Sequence, residues 1–137
     1  TLRMERHTSN AYQLAQIMEP HPAIATLYYP GLPSFPQHAL YQRQMTGGGG
    51  LIAFNLRGGK SAAFAFLNAL RVVAISNNLG DAKSLATHPA TTTHSNMSAQ
   101  ARQAIGITDG SIRLSVGIEA LEDLRTDILR ALDAAHG

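Results

Sequence analysis

The chain has 137 residues, a formal net charge of +2, 45% hydrophobic residues and 15% charged ones. This is one domain's worth of chain with enough apolar content for a single core, which excludes a disordered polypeptide, and its scattered basic residues argue against a nucleic-acid partner. With no cysteine there is no disulfide framework, thiolate metal site or cysteine nucleophile, and neither a membrane-length apolar run nor a signal-peptide pattern is present, so a cytoplasmic protein is expected.

In chain order, Ala11, Leu14, Ala15 and Met18 fall at i, i+3, i+4 and i+7 and predict a helix that stops before Pro20 and Pro22. This helix has no start signal, which points to a piece of a longer polypeptide. Residues Ala25 to Tyr29 read as a short strand closed by Pro30-Gly31, and Gln37 to Gln44 as a short helix broken by Gly47 to Gly50. Leu51 to Leu56 reads as a strand, Ser61 to Leu70 as an apolar helix, and Arg71 to Ser76 as a β-branched strand. Ser98 is placed to cap a helix running to about Ile105. Ile112, Leu114 and Val116 alternate with Arg113 and Ser115, as in a half-buried strand. Leu121, Leu124, Ile128 and Leu132 trace one stripe of a last helix, with Glu119, Glu122 and Asp123 in or near its first turn. The alternation predicts a two-layer α/β (α+β) domain with one open sheet of about four strands, near 25–29, 51–56, 71–76 and 112–116, and helices mainly on one face.

Between the last two strands lies an 18-residue polar stretch, Asn77 to His94 (NNLGDAKSLATHPATTTH), whose composition favours turns over regular structure. Ordered loops of this length are usually functional. Within it, Asp81, Ser84 and His88 can be drawn as a triad, but nothing resembles a strained nucleophile elbow. His88 and His94 are six residues apart, which matches no zinc spacing, so no metal is expected. GGGG followed by RGGKS fails as a phosphate loop because Phe54 stands where the first glycine belongs. His7, His21, His38 and His136 have no partner readable from sequence and are expected at the surface.

Arg113 differs from these. Strand period two sets it opposite Ile112, Leu114 and Val116, away from the core. It is either a solvated arginine or the lining of a cleft, where a guanidinium would grip a carboxylate through two parallel hydrogen bonds.

At these residues the chain resembles the C-terminal small domain of the Cys/Met-metabolism family of pyridoxal-phosphate (PLP) enzymes, which includes cystathionine γ-synthase, cystathionine lyases, methionine γ-lyase and the homoserine-ester sulfhydrylases. The resemblance runs through TLRMERHTSNA, YYPGLPSFPQH, GGGGLIAFNL, NNLGDAKSLATHPATTTHS and GITDGSIRLSVGIEALEDL, covering essentially the whole chain. It implies the mainly antiparallel small domain of the aspartate-aminotransferase-like type I PLP fold, with residues 1–18 part of an interdomain helix. It also implies that Arg113 binds the substrate α-carboxylate and that Asn78, before the LGD turn, lines the same site where many lyase members have serine. Ser76, Asn77, Thr93 and His94 are the accompanying shell residues. No catalytic, cofactor-binding or metal-binding residue is expected in this chain, because the family's cofactor contacts belong to the preceding large domain. Lys60 and Lys83 match no cofactor-lysine motif. The NLGDAK and HPATTTH combination resembles most the sulfhydrylase branch, whose γ-replacement forms homocysteine for methionine biosynthesis. The implied partners are a small amino-acid substrate, the chain's own N-terminal PLP domain and further copies in a homo-oligomer. A non-catalytic amino-acid-binding module and a dimerisation domain are the readings of another class.

Overall fold

A computed structural model describes residues 1–136. Elements follow the order α1 (Leu2–Met18), β1 (Ile24–Tyr28), α2 (His38–Gln44), β2 (Leu51–Leu56), α3 (Gly59–Ala69), β3 (Ala74–Ile75), β4 (Leu85–Thr87), α4 (Ala99–Ala104), β5 (Ser111–Ser115) and α5 (Leu121–His136), with a 3-10 turn at Pro89–Thr91. Among the described residues no helix is long and apolar enough to cross a membrane.

The five strands form one sheet in the order β1-β2-β5-β4-β3, antiparallel except for the β3–β4 pair. Apolar residues at every second strand position make one face of the sheet sticky, and three helices cover it. Ile52, Phe54, Ile112, Leu114 and Ala86 meet Leu14 and Met18 of α1, Phe66 of α3, and Leu124, Ile128 and Leu132 of α5 in a single core. Phe54 and Phe66 meet edge to face at 5.4 Å between ring centroids.

The expected strand from Arg71 is two residues long and starts at Ala74. Asp127 of α5, which is fully buried, accepts the backbone N–H groups of Arg71, Val72 and Val73 at 2.8, 2.9 and 2.9 Å. Amides turned onto that carboxylate are unavailable to a sheet ladder.

The sheet has five strands where four are expected, because the polar stretch 77–94 is not all loop. Leu85 to Thr87 is a strand between β3 and β5, and every residue from Ser84 to Ala90 is buried. A three-residue strand is too short to print a period-two pattern.

GGGG has a packing role. A Cβ on Gly48 would lie 2.7–2.8 Å from the Tyr29 ring, and Gly49 has φ +81°. The Tyr29 hydroxyl donates to the Gly49 carbonyl at 2.8 Å, and burial first, with Tyr41 and Tyr12 adding, pushes this phenol up to about 12.

His7 is a further correction, since it is buried rather than exposed. Its Nδ1 donates to the Val116 carbonyl at 2.5 Å while Nε2 accepts from Arg3 Nε at 3.2 Å. That bond fastens α1 to the end of β5.

Candidate functional site

The face of the sheet turned away from α1, α3 and α5 carries one row of side chains across its middle. Tyr28 pairs with Ala53, Ala53 with Arg113, and Arg113 with Thr87, so these four stand side by side on β1, β2, β5 and β4. Small Ala53 leaves room beside the arginine, which is half-buried. Among the described residues, its one hydrogen bond runs from Nη2 to the Asn77 carbonyl at 2.8 Å. A guanidinium has five N–H donors, so four remain to meet an anion.

A cavity of about 390 Å³ opens on this face, lined by Tyr28, Ala53, Thr93, His94, Ile105 and Arg113 among others. It is walled mainly by apolar groups around one cation, which suits a small organic carboxylate. A larger open groove, about 990 Å³, lies between α1 and the segment 41–49. None of the sequence-predicted site residues lines that groove.

The structure brings some predicted residues to Arg113 and holds others near it only through the chain. Asn77 touches it directly by its carbonyl. Thr93 and His94 line the same cavity, with Thr93 Oγ1 and His94 Nδ1 2.8 Å apart. Ser76 donates its backbone N–H to the Ala86 carbonyl and accepts the Asn78 N–H on its hydroxyl at 3.2 Å. The Asn78 side chain is exposed. The Ser76 hydroxyl holds the Asn78 backbone N–H, and no hydrogen bond joins Asn78 to Arg113 among the described residues.

The threonine run has an internal logic that sequence alone does not disclose. Thr91 serves His88 Nδ1 at 2.8 Å, Thr92 lies 3.0 Å from Thr87, and Thr93 serves His94. His88 is buried, and its Nε2 donates to the Asp109 carbonyl at 2.6 Å. With both ring nitrogens engaged, His88 is structural and forms no triad. Ser84 and Asp81 are likewise committed elsewhere. The Ser84 hydroxyl donates to Glu119 Oε1 at 2.9 Å and accepts the Gly117 N–H at 2.8 Å, and the Asp81 carboxylate accepts the Lys83 amide at 3.3 Å.

Four residues shape this region in roles that the sequence reading does not assign: Thr87, Ser84, Ser115 and Glu119. Ser115 Oγ accepts the Gly80 N–H at 2.8 Å, and Arg3 donates to the Gly80 carbonyl at 2.5 Å, so the LGD turn is held from two sides. Gly117 is required here because a Cβ would collide with the Ala82 carbonyl and the Glu119 carboxylate. The available signal was the SVG-x-E spacing, which sets Ser115, Gly117 and Glu119 at alternate positions.

Neither lysine faces the cavity. Lys60 sits on α3 in the helical layer with Nζ 5.4 Å from the Phe64 ring centre, and Lys83 is exposed in the turn before β4. Among the described residues no group of three His, Asp or Glu side chains is placed to hold a metal ion.

Comparison with known proteins gives this geometry a setting. Residues 1–133 match the model of the Cys/Met metabolism PLP-dependent enzymes. The chain is 50% identical over 133 residues to an L-methionine gamma-lyase of Pseudomonas deceptionensis, covering 97% of this chain and 33% of that protein. It is 46% identical over 133 residues to an O-succinylhomoserine sulfhydrylase of Pseudomonas aeruginosa, again covering 97% and 33%. A crystal structure of cystathionine gamma synthase from Xanthomonas oryzae pv. oryzae, in complex with aminoacrylate and cysteine, superposes with a TM-score of 0.93 at 42% identity, covering 98% of this chain and 35% of the other. The chain thus spans about a third of the length of the relatives it matches. It belongs to the Cys/Met metabolism family of PLP-dependent enzymes.

Proposed function

We propose that this chain is the substrate-carboxylate-binding small domain of a PLP-dependent sulfur amino acid enzyme, an O-succinylhomoserine sulfhydrylase. The observation that carries the reading is the position of Arg113, at the centre of the sheet face turned from the helices, with one donor held by Asn77 and four remaining.

A planar guanidinium meets a carboxylate through two parallel N–H···O bonds, which fixes direction as well as charge. Because Arg113 stands on a central strand, a substrate held by its α-carboxylate keeps a fixed orientation relative to the sheet. Apolar groups at Tyr28, Ala53 and Ile105 line the cavity beside the guanidinium and lower the local polarity around the ion pair. Asn78, Ser76, Thr93 and His94 complete the shell in this reading.

PLP, when bound, supplies the electron sink for carbanion chemistry. The residues present do not offer its covalent attachment, since no lysine lines the Arg113 cavity. That role falls to an N-terminal domain, within a homo-oligomer, and no step of the chemistry is assigned to Lys60 or Lys83. In the proposed γ-replacement, the Cγ–O bond of the succinyl ester breaks, succinate leaves, and hydrosulfide forms the new Cγ–S bond of homocysteine.

The replacement reading is supported by the NLGDAK and HPATTTH combination, which resembles most the sulfhydrylase branch. The 50% identity to a methionine gamma-lyase supports the second reading, elimination from methionine. Assaying the full-length protein separates the two. Homocysteine from O-succinylhomoserine and sulfide is the expected product, and faster release of a 2-oxo acid and methanethiol from methionine would overturn the assignment.

A further inference from the structure

Thr87 stands directly beside Arg113 in the sheet and is buried, with 1% of its surface exposed. A buried hydroxyl needs partners, and this one has two outside its own strand. Its Oγ1 donates to Asn77 Oδ1 at 2.9 Å and lies 3.0 Å from Thr92 Oγ1. A hydroxyl carries a single proton. Thr92 commits its own proton to the His88 carbonyl at 2.8 Å, which sets the Thr92 oxygen beside Thr87. Thr87 gives its proton to the Asn77 side chain, and the same Asn77 residue accepts Arg113 Nη2 on its carbonyl.

Asn77 is exposed and lies beyond the end of β3, whereas Thr87 is laddered to β5 in the sheet interior. The rigid partner therefore holds the exposed one. We infer that Thr87 is a positioning residue for carboxylate recognition: through the Asn77 side chain it fixes the Asn77 carbonyl, and that carbonyl fixes the plane of the Arg113 guanidinium. The inference rests on the reading of Arg113 as the carboxylate anchor. Sequence gives no hint of it, since a lone threonine in LATHPATTTH reads as loop.

The test is a double-mutant cycle in the full-length PLP-loaded enzyme, with kcat and KM measured for O-succinylhomoserine. Thr87→Val keeps the shape and removes the hydroxyl, and kcat/KM is expected to fall about fivefold, mostly through KM, with PLP content unchanged. Thr87→Ser restores the donor and is expected to recover most of the loss. In an Arg113→Ala background Thr87→Val is expected to add nothing, because its effect passes through Arg113. Asn77→Ala, at an exposed position, removes the acceptor of the Thr87 proton and is expected to reproduce the Thr87→Val loss if that variant folds poorly. Wild-type kinetics for Thr87→Val and Asn77→Ala, while Arg113→Ala loses activity, would overturn the positioning role and leave the anchor standing. An additive loss in the Arg113→Ala background would also overturn it, by making Thr87 structural. Full activity of Arg113→Ala would remove the anchor and the positioning role together.

Discussion

Arg113 Nη2 donates to the carbonyl of Asn77 at 2.8 Å, joining a central strand to a turn 36 residues earlier in the chain. The contact uses a backbone oxygen, so the side chain of Asn77 is left to bond Thr87. The turn that follows is tied at Gly80 to Ser115 on the same strand as Arg113. One strand thus carries the cation and also holds the loop that flanks it.

Asp127 anchors the approach to β3. Replacing it by alanine strands three backbone amides, the Val73 one buried, and leaves Arg130 without its carboxylate partner. Asp127→Ala is expected to destabilise the 137-residue chain by about 3–5 kcal/mol, the range for breaking a buried charged network. Urea unfolding followed by circular dichroism gives the value. A loss below about 1 kcal/mol would mean water replaces the carboxylate at little cost.

Tyr29 gives the fold a signature at high pH. In the folded chain its phenol keeps its proton up to about 12, against 10 for the ordinary group. Its contribution to stability is therefore complete below pH 10 and is lost as pH rises to about 12. The full swing is about 2–3 kcal/mol. Tyr29→Phe removes the hydrogen bond to Gly49 and is expected to cost about 1 kcal/mol near neutral pH. Between pH 10 and 12 the wild type should lose that advantage, and the urea midpoints should meet and then cross, because the swing exceeds the starting gap. A constant gap between the two proteins would show that Tyr29 ionises as readily in the folded chain as in the unfolded one.

The isolated chain is expected to fold, because its core closes within these residues, and to take up no PLP covalently. Purification with excess cofactor followed by borohydride reduction and mass spectrometry tests this. A stable adduct on Lys60 or Lys83 would contradict the assignment of the attachment lysine to another domain.

Wherever periodicity is long enough to print, the fold is legible in the sequence. The stripe Leu121, Leu124, Ile128, Leu132 and the alternation Ile112, Leu114, Val116 give α5 and β5 their place and put Arg113 on the open face. The polar stretch hides its structure because its contacts are non-local or pass through single hydroxyls. Leu85 to Thr87 becomes a strand only through pairing with β5 and β3, and the Arg71–Val73 amides are withdrawn by an aspartate more than 50 residues later. Arg113 and the loop facing it are visible through their motif. Thr87, whose role is a proton given to Asn77, is not.

Whether Arg113 grips the substrate carboxylate is decided by kcat/KM of Arg113→Ala and Arg113→Lys in the full-length enzyme. A charge-assisted pair is worth about 1.5–3 kcal/mol, so the alanine variant is expected to lose at least about tenfold in kcat/KM. Lysine should recover only part of the loss, since an ammonium keeps the charge but not the two-pronged geometry. PLP content should match the wild type in both. Near-wild-type turnover by a correctly folded Arg113→Ala enzyme would contradict the account and make this arginine an ordinary residue of a solvated sheet face.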